Sequence, residues 1–248
     1  MEESLQFSVV VPVLNEEDNI TPLILELEQL MPEQEPFEVI FVDDHSTDNT
    51  PEVLFRYSMK FPWLRVVRLS RQSGQSAALC YGIRNARSSI IVSMDGDGQN
   101  DPSDIPNLVD VYHRVELHSR CCLVNGYRVQ RKDSGWRRFS SSFANSVRSR
   151  LLKDDTPDSG CGIKVYSRER FLELSSFNHM HRFLPALIRQ HGGEVVSVAV
   201  NHRPRSSGAS HYGTLDRLFA GIIDLTGVLW LGKRVIPSGL VEEEKKNG

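Results

Sequence analysis

The chain has no long apolar run, little cysteine and no excess of either charge, and each lack removes a class of function. No apolar stretch within its 248 residues approaches the ~20 needed to span a bilayer. With 29 Lys and Arg against 32 Asp and Glu, the formal net charge is −3. Nothing global therefore points to nucleic acid or another polyanion as a partner. The 4 cysteines, Cys80, Cys121, Cys122 and Cys161, lack metal-ligand spacing, and adjacent Cys121 and Cys122 are poor disulfide partners. Reduced, buried thiols of a cytosolic protein are the expectation. The start, Met1-Glu2-Glu3-Ser4, is acidic and runs directly into a strand, so no signal peptide is expected. There are no internal repeats and no linker long enough to separate two domains. The length fits one large α/β domain or two small ones.

What is present is an alternation of strand and helix patterns. Residues 7–13 form a continuous apolar run, as in a strand buried on both faces. Pro12 and Asn15-Glu16 end it, and Ile20, Leu23, Ile24, Leu27 and Leu30 follow at helical spacing. A second buried strand over 37–42 closes on Asp43-Asp44-His45-Ser46-Thr47-Asp48, where Ser46 or Asp48 can cap the next helix. Strands over 64–69 and 90–94 bracket a small-residue helix opened by Ser73-Gly74-Gln75-Ser76. Four such alternations predict a parallel sheet with helices on both faces. Beyond Asn100-Asp101-Pro102, a helix over 103–115 and a strand over 121–125 are expected, then strands over 163–166 and 195–200 flanking a helix over 181–190.

The second half differs in texture. Phe139, Phe143, Val147 and Leu151 lie at helical spacing, with Arg137, Arg138, Arg148, Arg150 and Lys153 on the other side. Such a basic amphipathic helix either rests on an anionic membrane surface or is an ordinary solvated helix. Residues 215–231 are apolar on nearly every side but short, and Asp224 interrupts them. They read as a buried terminal helix or one lying in a bilayer interface. The expected organisation is a catalytic unit over 1–213 (donor half 1–102, acceptor half 103–213), an apolar peripheral or docking helix over 214–234, and a disordered polar tail over 235–248.

The chemistry concentrates where the strands end. Asp95-Gly96-Asp97-Gly98-Gln99 follows the fourth strand directly. Side chains at i and i+2 of an extended chain share a face, so Asp95 and Asp97 point the same way. Two such carboxylates repel unless a cation lies between them, and oxygen ligands few in number suit Mg²⁺ or Mn²⁺ completed by water and phosphates. Pro12 to Glu16, Asp43-Asp44 and Gly74 fall at equivalent places on the rim, where open α/β sheets bind ligands. Each has a plain structural alternative: a strand end, a cap, a surface charge. Together they outline one nucleotide pocket.

Pro12-Val13-Leu14-Asn15-Glu16, the 42–48 motif and Asp95-Gly96-Asp97-Gly98-Gln99-x-x-Pro102 resemble the nucleotide-sugar half of family-2 glycosyltransferases with the GT-A fold. In the second half, Gly126-Tyr127-Arg128, Arg137-Arg138, Asp158-Ser159-Gly160-Cys161-Gly162, His181-Arg182-Phe183 and Arg203-Pro204-Arg205-x-x-Gly208-x-Ser210-His211-Tyr212-Gly213 are similar to the branch that glycosylates polyprenyl phosphates. The resemblance implies that Pro12, Glu16 and Asp44 hold the nucleoside, with Asn15, Asp43 and Gly74 also counted among the donor-binding residues, Gly74 as a helix start that favours an anion. It implies that Asp95, Asp97 and Gln99 surround Mg²⁺ or Mn²⁺ and the diphosphate, and that Arg128 and Arg138 neutralise the acceptor phosphate. Arg203 and the Ser210 turn would close over the phosphates, and Asp158 would position acceptor or sugar. The implied reaction is inverting transfer from a GDP- or UDP-sugar to a polyprenyl phosphate at the cytoplasmic face of a membrane, without nucleic acid. Partners are the two substrates and a membrane surface or a separate membrane protein. Two departures stand out: His211 where many members carry lysine, and a single short apolar segment where many continue into two membrane-spanning helices. The competing readings are transfer to a hydroxyl acceptor with Asp158 as base, and a catalytically dead nucleotide-sugar-binding scaffold.

Overall fold

The computed structural model describes residues 5–30, 36–118, 122–128, 148–154, 156–204 and 214–235. Arg138 and Ser210, the 129–147 segment and residues 205–213 of the 203–213 motif lie outside them. The strands are β1 Ser8–Val13, β2 Glu38–Asp43, β3 Leu64–Arg68, β4 Ile90–Ser93, β5 Cys122–Arg128, β6 Lys164–Ser167 and β7 Glu194–Val200. They form one 7-stranded sheet in the order β3-β2-β1-β4-β6-β5-β7. The pairings among β1, β2, β3 and β4 are parallel, as the alternating pattern predicts, and β5 pairs parallel with β7. β6 runs antiparallel to both β4 and β5, a reversal the periodicity did not disclose. The helices are α1 Glu17–Leu30, α2 Thr50–Lys60, α3 Gln75–Asn85, α4 Ile105–Glu116, α5 Arg168–Glu173, α6 Leu184–Gln190 and α7 Thr214–Gly232.

Alternation along the buried strands divides the core into two layers. Val9, Val11, Val39, Phe41, Val92 and Val165 face α1, α2 and α4, packing with Ile20, Leu54 and Leu108. Val10, Ile40, Val42, Ile91 and Tyr166 face α3, α5 and α6, packing with Leu79, Phe171 and Leu187. Gly82 lets α3 lie almost on the sheet, because a Cβ there would overlap Val10 and Val42. The order reverses between β1 and β4, the switch point beside which doubly wound sheets open a crevice.

Several boundaries differ from the sequence expectation for identifiable reasons. The expected helix over 181–190 is a 3₁₀ turn, Met180–Arg182, followed by α6, whose second residue is Pro185. α5 was not expected; Ser167 caps it by accepting from the Arg170 N–H at 3.4 Å. Residues 148–152 are helical, but Arg148 forms an ion pair with fully buried Asp154 at 2.6 Å while Leu151 is exposed. The expected sidedness of that stretch is reversed at these two residues. In α7, Val228 is buried and Leu225 and Leu229 pack on the α6 side of the core, leaving Ile222, Ile223 and Trp230 exposed. Asp224, the charge inside this segment, lies 2.8 Å from the His179 ring. No helix among the described residues is long and apolar enough to cross a membrane.

Candidate active site

The donor-side rim is a laced pair of loops following β1 and β2. The Asn15 N–H donates to Ser46 Oγ at 2.9 Å, and the Thr47 N–H donates back to Asn15 Oδ1 at 2.8 Å, with Asn15 held at φ 55°. The Glu16 N–H donates to Thr50 Oγ1 and the Glu17 N–H to Asp48. Asp48 also accepts from the Thr50 N–H at 3.0 Å, so of the two proposed caps it is the one that fastens the start of α2; Ser46 serves the other loop. Asp43 accepts from the Ser46 N–H at 2.9 Å and pairs with Arg68 at 3.1 Å. Asp44, far from being a loose surface charge, is buried and receives the Ser73 and Gly74 N–H groups, each at 2.7 Å. The Gly74 N–H at the head of α3 thus already faces an anion of the protein itself.

The acidic turn follows β4. Asn100 accepts from the Asp95 N–H at 2.9 Å, and Asp97 Oδ1 accepts from the Gln99 N–H at 3.1 Å. The strand register carries Asp95 onto the α3 face, where Gln75 Nε2 donates to its Oδ1 at 2.8 Å. Gly162 lies against the same carboxylate so closely that any Cβ there would collide with it. Burial, and then the neighbouring Asp97 charge, push the Asp95 carboxyl up to about 6, against the opposing pull of Lys164, Arg128 and Gln75. At Asp95, burial and the Asp97 charge outweigh the cations nearby. That is the electrostatic condition under which a divalent ion fits.

Across the crevice stands a second ion pair. Arg128, at the end of β5, donates to both Asp158 oxygens, at 2.6 and 2.9 Å. Burial alone would lower the Arg128 pKa; the Asp158 carboxylate raises it on balance. Arg203 is held by Glu26 at 2.7 Å and by Asp101 at 2.9 Å, outside the crevice. Its backbone N–H donates to Gln99 O at 3.0 Å, and His202 Nε2 lies 3.5 Å from Gln99 Nε2, so this segment braces the acidic turn.

Beside the acidic turn lies a cavity of about 150 Å³, lined by Pro12, Gln75, Asp95, Gly160, Lys164 and Arg182 among others. An apolar cavity of about this volume holds a benzene ring, so one six-membered ring is the scale of ligand it takes. His181, at its edge, lies 2.7 Å from Ser76 Oγ through Nδ1. Burial, followed by the charges of Arg182, Lys164 and His179, lowers its pKa to about 3. It is a neutral imidazole at physiological pH.

The structure brings Pro12 and Asp95 to the cavity, seats Asp97 and Gln99 in the turn beside it, and sets Asn15, Glu16, Asp43, Asp44 and Gly74 along the adjoining rim. The side chains that sequence reasoning did not single out are Gln75 and Lys164; His181 and Arg182 stood in the 181–183 motif with no role given. A lone lysine inside an otherwise apolar strand was the available signal for Lys164. Gln75 carried none.

With the geometry in view, comparison with known proteins is informative. The model of a family described as glycosyl transferase family 2 matches residues 8–174. Similar proteins include a dodecaprenyl-phosphate galacturonate synthase of Rhizobium johnstonii, 37% identical over 233 residues, covering 92% of this chain and 68% of the relative. An undecaprenyl-phosphate 4-deoxy-4-formamido-L-arabinose transferase of Pseudomonas aeruginosa is 31% identical over 220 residues, covering 88% and 63%. The chain spans about two thirds of the length of these relatives. A glucosyl-3-phosphoglycerate synthase of Mycobacterium tuberculosis, in complex with Mn²⁺, UDP-glucose and phosphoglyceric acid, superposes with a TM-score of 0.65 at 21% identity, over 96% of this chain and 82% of the other. The fold is GT-A, as the sequence led one to expect.

Proposed function

The chain belongs to glycosyl transferase family 2, and from that premise we propose that it moves a sugar from a GDP- or UDP-sugar to a polyprenyl phosphate. The product is a polyprenyl-phosphate monosaccharide of inverted configuration. The observation that carries this reading is the crevice itself: a ring-sized cavity lined by Asp95 of the acidic turn and by Gly160, with the Arg128–Asp158 pair against Gly160.

Pro12, Asn15, Glu16, Asp43 and Asp44 form the nucleoside side, with Asp43 and Asp44 acting chiefly by holding the 46 and 73–74 backbone in place. Asp97, Asp95 and Gln99 would hold Mg²⁺ or Mn²⁺. Among the described residues no group of three His, Cys, Asp or Glu could cage a metal. An ion here would therefore have few protein ligands and complete its shell with phosphate and water. When bound, the ion neutralises charge on the departing diphosphate. The acceptor is a phosphate monoester, whose second pKa of about 6 leaves it anionic near neutral pH, so attack on the anomeric carbon needs no strong base.

That bears directly on Asp158. A carboxylate receiving two guanidinium hydrogen bonds is a weak base. The pair suits a different task, holding the Arg128 guanidinium rigidly at the acceptor side. Arg138, Arg203 and Ser210 remain part of the proposal for the phosphates; Arg203 would act through the acidic turn it braces or after leaving Glu26 and Asp101. A membrane-borne acceptor calls for a membrane-facing surface, and exposed Ile222, Ile223 and Trp230 on α7, with Lys233 and Arg234 after it, are suited to that role.

The test is sugar transfer from a panel of GDP- and UDP-sugars, with Mg²⁺ or Mn²⁺, to undecaprenyl or dolichyl phosphate in detergent. A mass-detected lipid-linked sugar that disappears in Asp97→Ala is the expected result. Nucleotide release with no lipid product would move the reading to a hydroxyl acceptor. Nucleotide binding without turnover on any acceptor would move it to a scaffold.

A further inference from the structure

Asp224 is the only charge between Arg217 and Lys233. It does not lie with exposed Ile222, Ile223 and Trp230 on the outer side of α7. It stands one turn before buried Val228, on the side that meets the protein, and its side chain is 19% exposed. There its Oδ2 lies 2.8 Å from His179 Nδ1. His179 in turn holds a left-handed backbone, φ 65°, immediately before the Met180–Arg182 turn. Both features cost stability: a carboxylate on the inner side of an apolar helix, and a left-handed residue that carries a side chain. For packing alone, leucine at 224 and glycine at 179 would serve better.

The turn that His179 opens is fixed at three further points. Met180 is fully buried beside Cys80. The His181 N–H and ring both meet Ser76 Oγ, at 3.4 and 2.7 Å. The Arg182 N–H donates to the His179 carbonyl at 3.1 Å. His181 and Arg182 line the cavity. Arg182 is exposed, and its guanidinium pairs with no carboxylate among the described residues. One turn thus joins the inner side of α7 to a cation at the mouth of the cavity.

We infer that His179 and Asp224 are a positioning pair, through which the seating of α7 at a lipid surface holds Arg182 in place for the acceptor phosphate. This rests on the transfer reading above and on the membrane-facing role given there to α7. A guanidinium at the mouth suits the donor diphosphate and the acceptor phosphate alike. The acceptor is favoured because it alone arrives in the surface that α7 faces.

The experiment follows transfer by the full chain, with Mn²⁺ and the donor that the parent uses, to undecaprenyl phosphate in vesicles of phosphatidylethanolamine and phosphatidylglycerol. Sedimentation measures vesicle binding, and calorimetry measures affinity for UDP or GDP with Mn²⁺. His179→Gly, which keeps the left-handed backbone, and Asp224→Ala should each raise the acceptor KM at least about fivefold. Nucleotide affinity and vesicle binding should stay at the parent's values. The double variant should be no worse than either single one, and the swap His179→Asp with Asp224→His should recover most of the loss. Gln190→Leu removes another polar tie of α7, to the Val228 carbonyl at 3.2 Å, and should leave the acceptor KM unchanged. An unchanged KM in the single variants overturns the inference. So does a rise of the same size in Gln190→Leu, or lost vesicle binding, either of which reduces the pair to packing. Equal weakening of nucleotide and acceptor overturns it by assigning the turn to the donor diphosphate. Losses that multiply in the double variant overturn it as well, since the two residues then act separately. Lipid-linked sugar from the parent, with the variants unaffected, sinks this inference alone. No lipid-linked sugar from any donor sinks the transfer reading and this inference with it.

Discussion

Replacing Asp95 with asparagine should make the protein more stable while disabling it. The carboxyl is pushed from 3.8 to about 6, first by burial and then by Asp97. At about 1.4 kcal/mol per pKa unit, the ionised form carries a penalty of up to roughly 3 kcal/mol in the folded state. The side chain is half-buried at the cavity wall, so solvent screens part of this, and about 2 kcal/mol is a fair expectation. The sign follows from the direction of the shift. A raised carboxyl pKa favours the protonated folded form, so the penalty is fully present above pH 6, shrinks as pH falls through about 6, and is gone below 3.8. Asparagine lacks the charge and retains an oxygen for the Gln75 amide. In EDTA at pH 8, Asp95→Asn should melt roughly 4–8 °C above the parent, and the two curves should converge as pH approaches 4. Turnover should fall at least about a hundredfold. Equal melting temperatures at pH 8, or a gap that widens on acidification, would refute the view that this carboxylate is held against its own electrostatics for a cation.

Three further outcomes follow from the same geometry. Gly162→Ala introduces a methyl into the Asp95 carboxylate, so kcat should drop on the order of a hundredfold, with secondary structure by circular dichroism retained. Asp158→Asn strands the Arg128 guanidinium, whose side chain is 19% exposed; urea denaturation should record a loss of about 3 kcal/mol. Adding Arg128→Gln should recover part of that loss, and strictly additive losses would mean the two groups do not act as a pair. The His181 ring proton resonance should not titrate between pH 5 and 8, because its pKa is lowered to about 3; an inflection near 6.5 would show that the imidazole is not sealed as described.

The donor half was legible because each strand there is followed directly by the residues that matter. Asp43, Asp44, Asp95 and Asp97 could be put on one rim from strand periodicity alone. What periodicity could not provide was their bonding. Asp44 reads as a nucleoside ligand or a surface charge, and only the fold brings the Ser73 and Gly74 amides to it from about thirty residues away. Arg128 and Asp158 were both singled out, yet nothing in a one-dimensional pattern says that they hold each other. Gln75 was invisible for the same reason, as an ordinary polar residue in the first turn of a helix whose importance lies entirely in what α3 faces.

The reversed strand β6 explains why two halves of different texture make one site. β4 and β5 both run toward the rim, whereas β6 between them runs away from it. The segment that meets Asp95 is therefore the one before β6, residues 158–163, and a search for polar residues after each strand passes over it. This insertion presses Gly162 onto the Asp95 carboxylate and sets Asp158 against Arg128. It also fixes Lys164 opposite Ser93 on one side and Asn125 on the other. Side chains alternate faces, so a register slip of one residue would send Lys164 into the opposite core layer, against Val92 and Val124. The energetic bias against that slip is large, since it would also bring Val165 out of its layer. The lysine is held in the cavity by the hydrophobic pattern of its own strand, and the same pattern joins the donor wall to the acceptor wall.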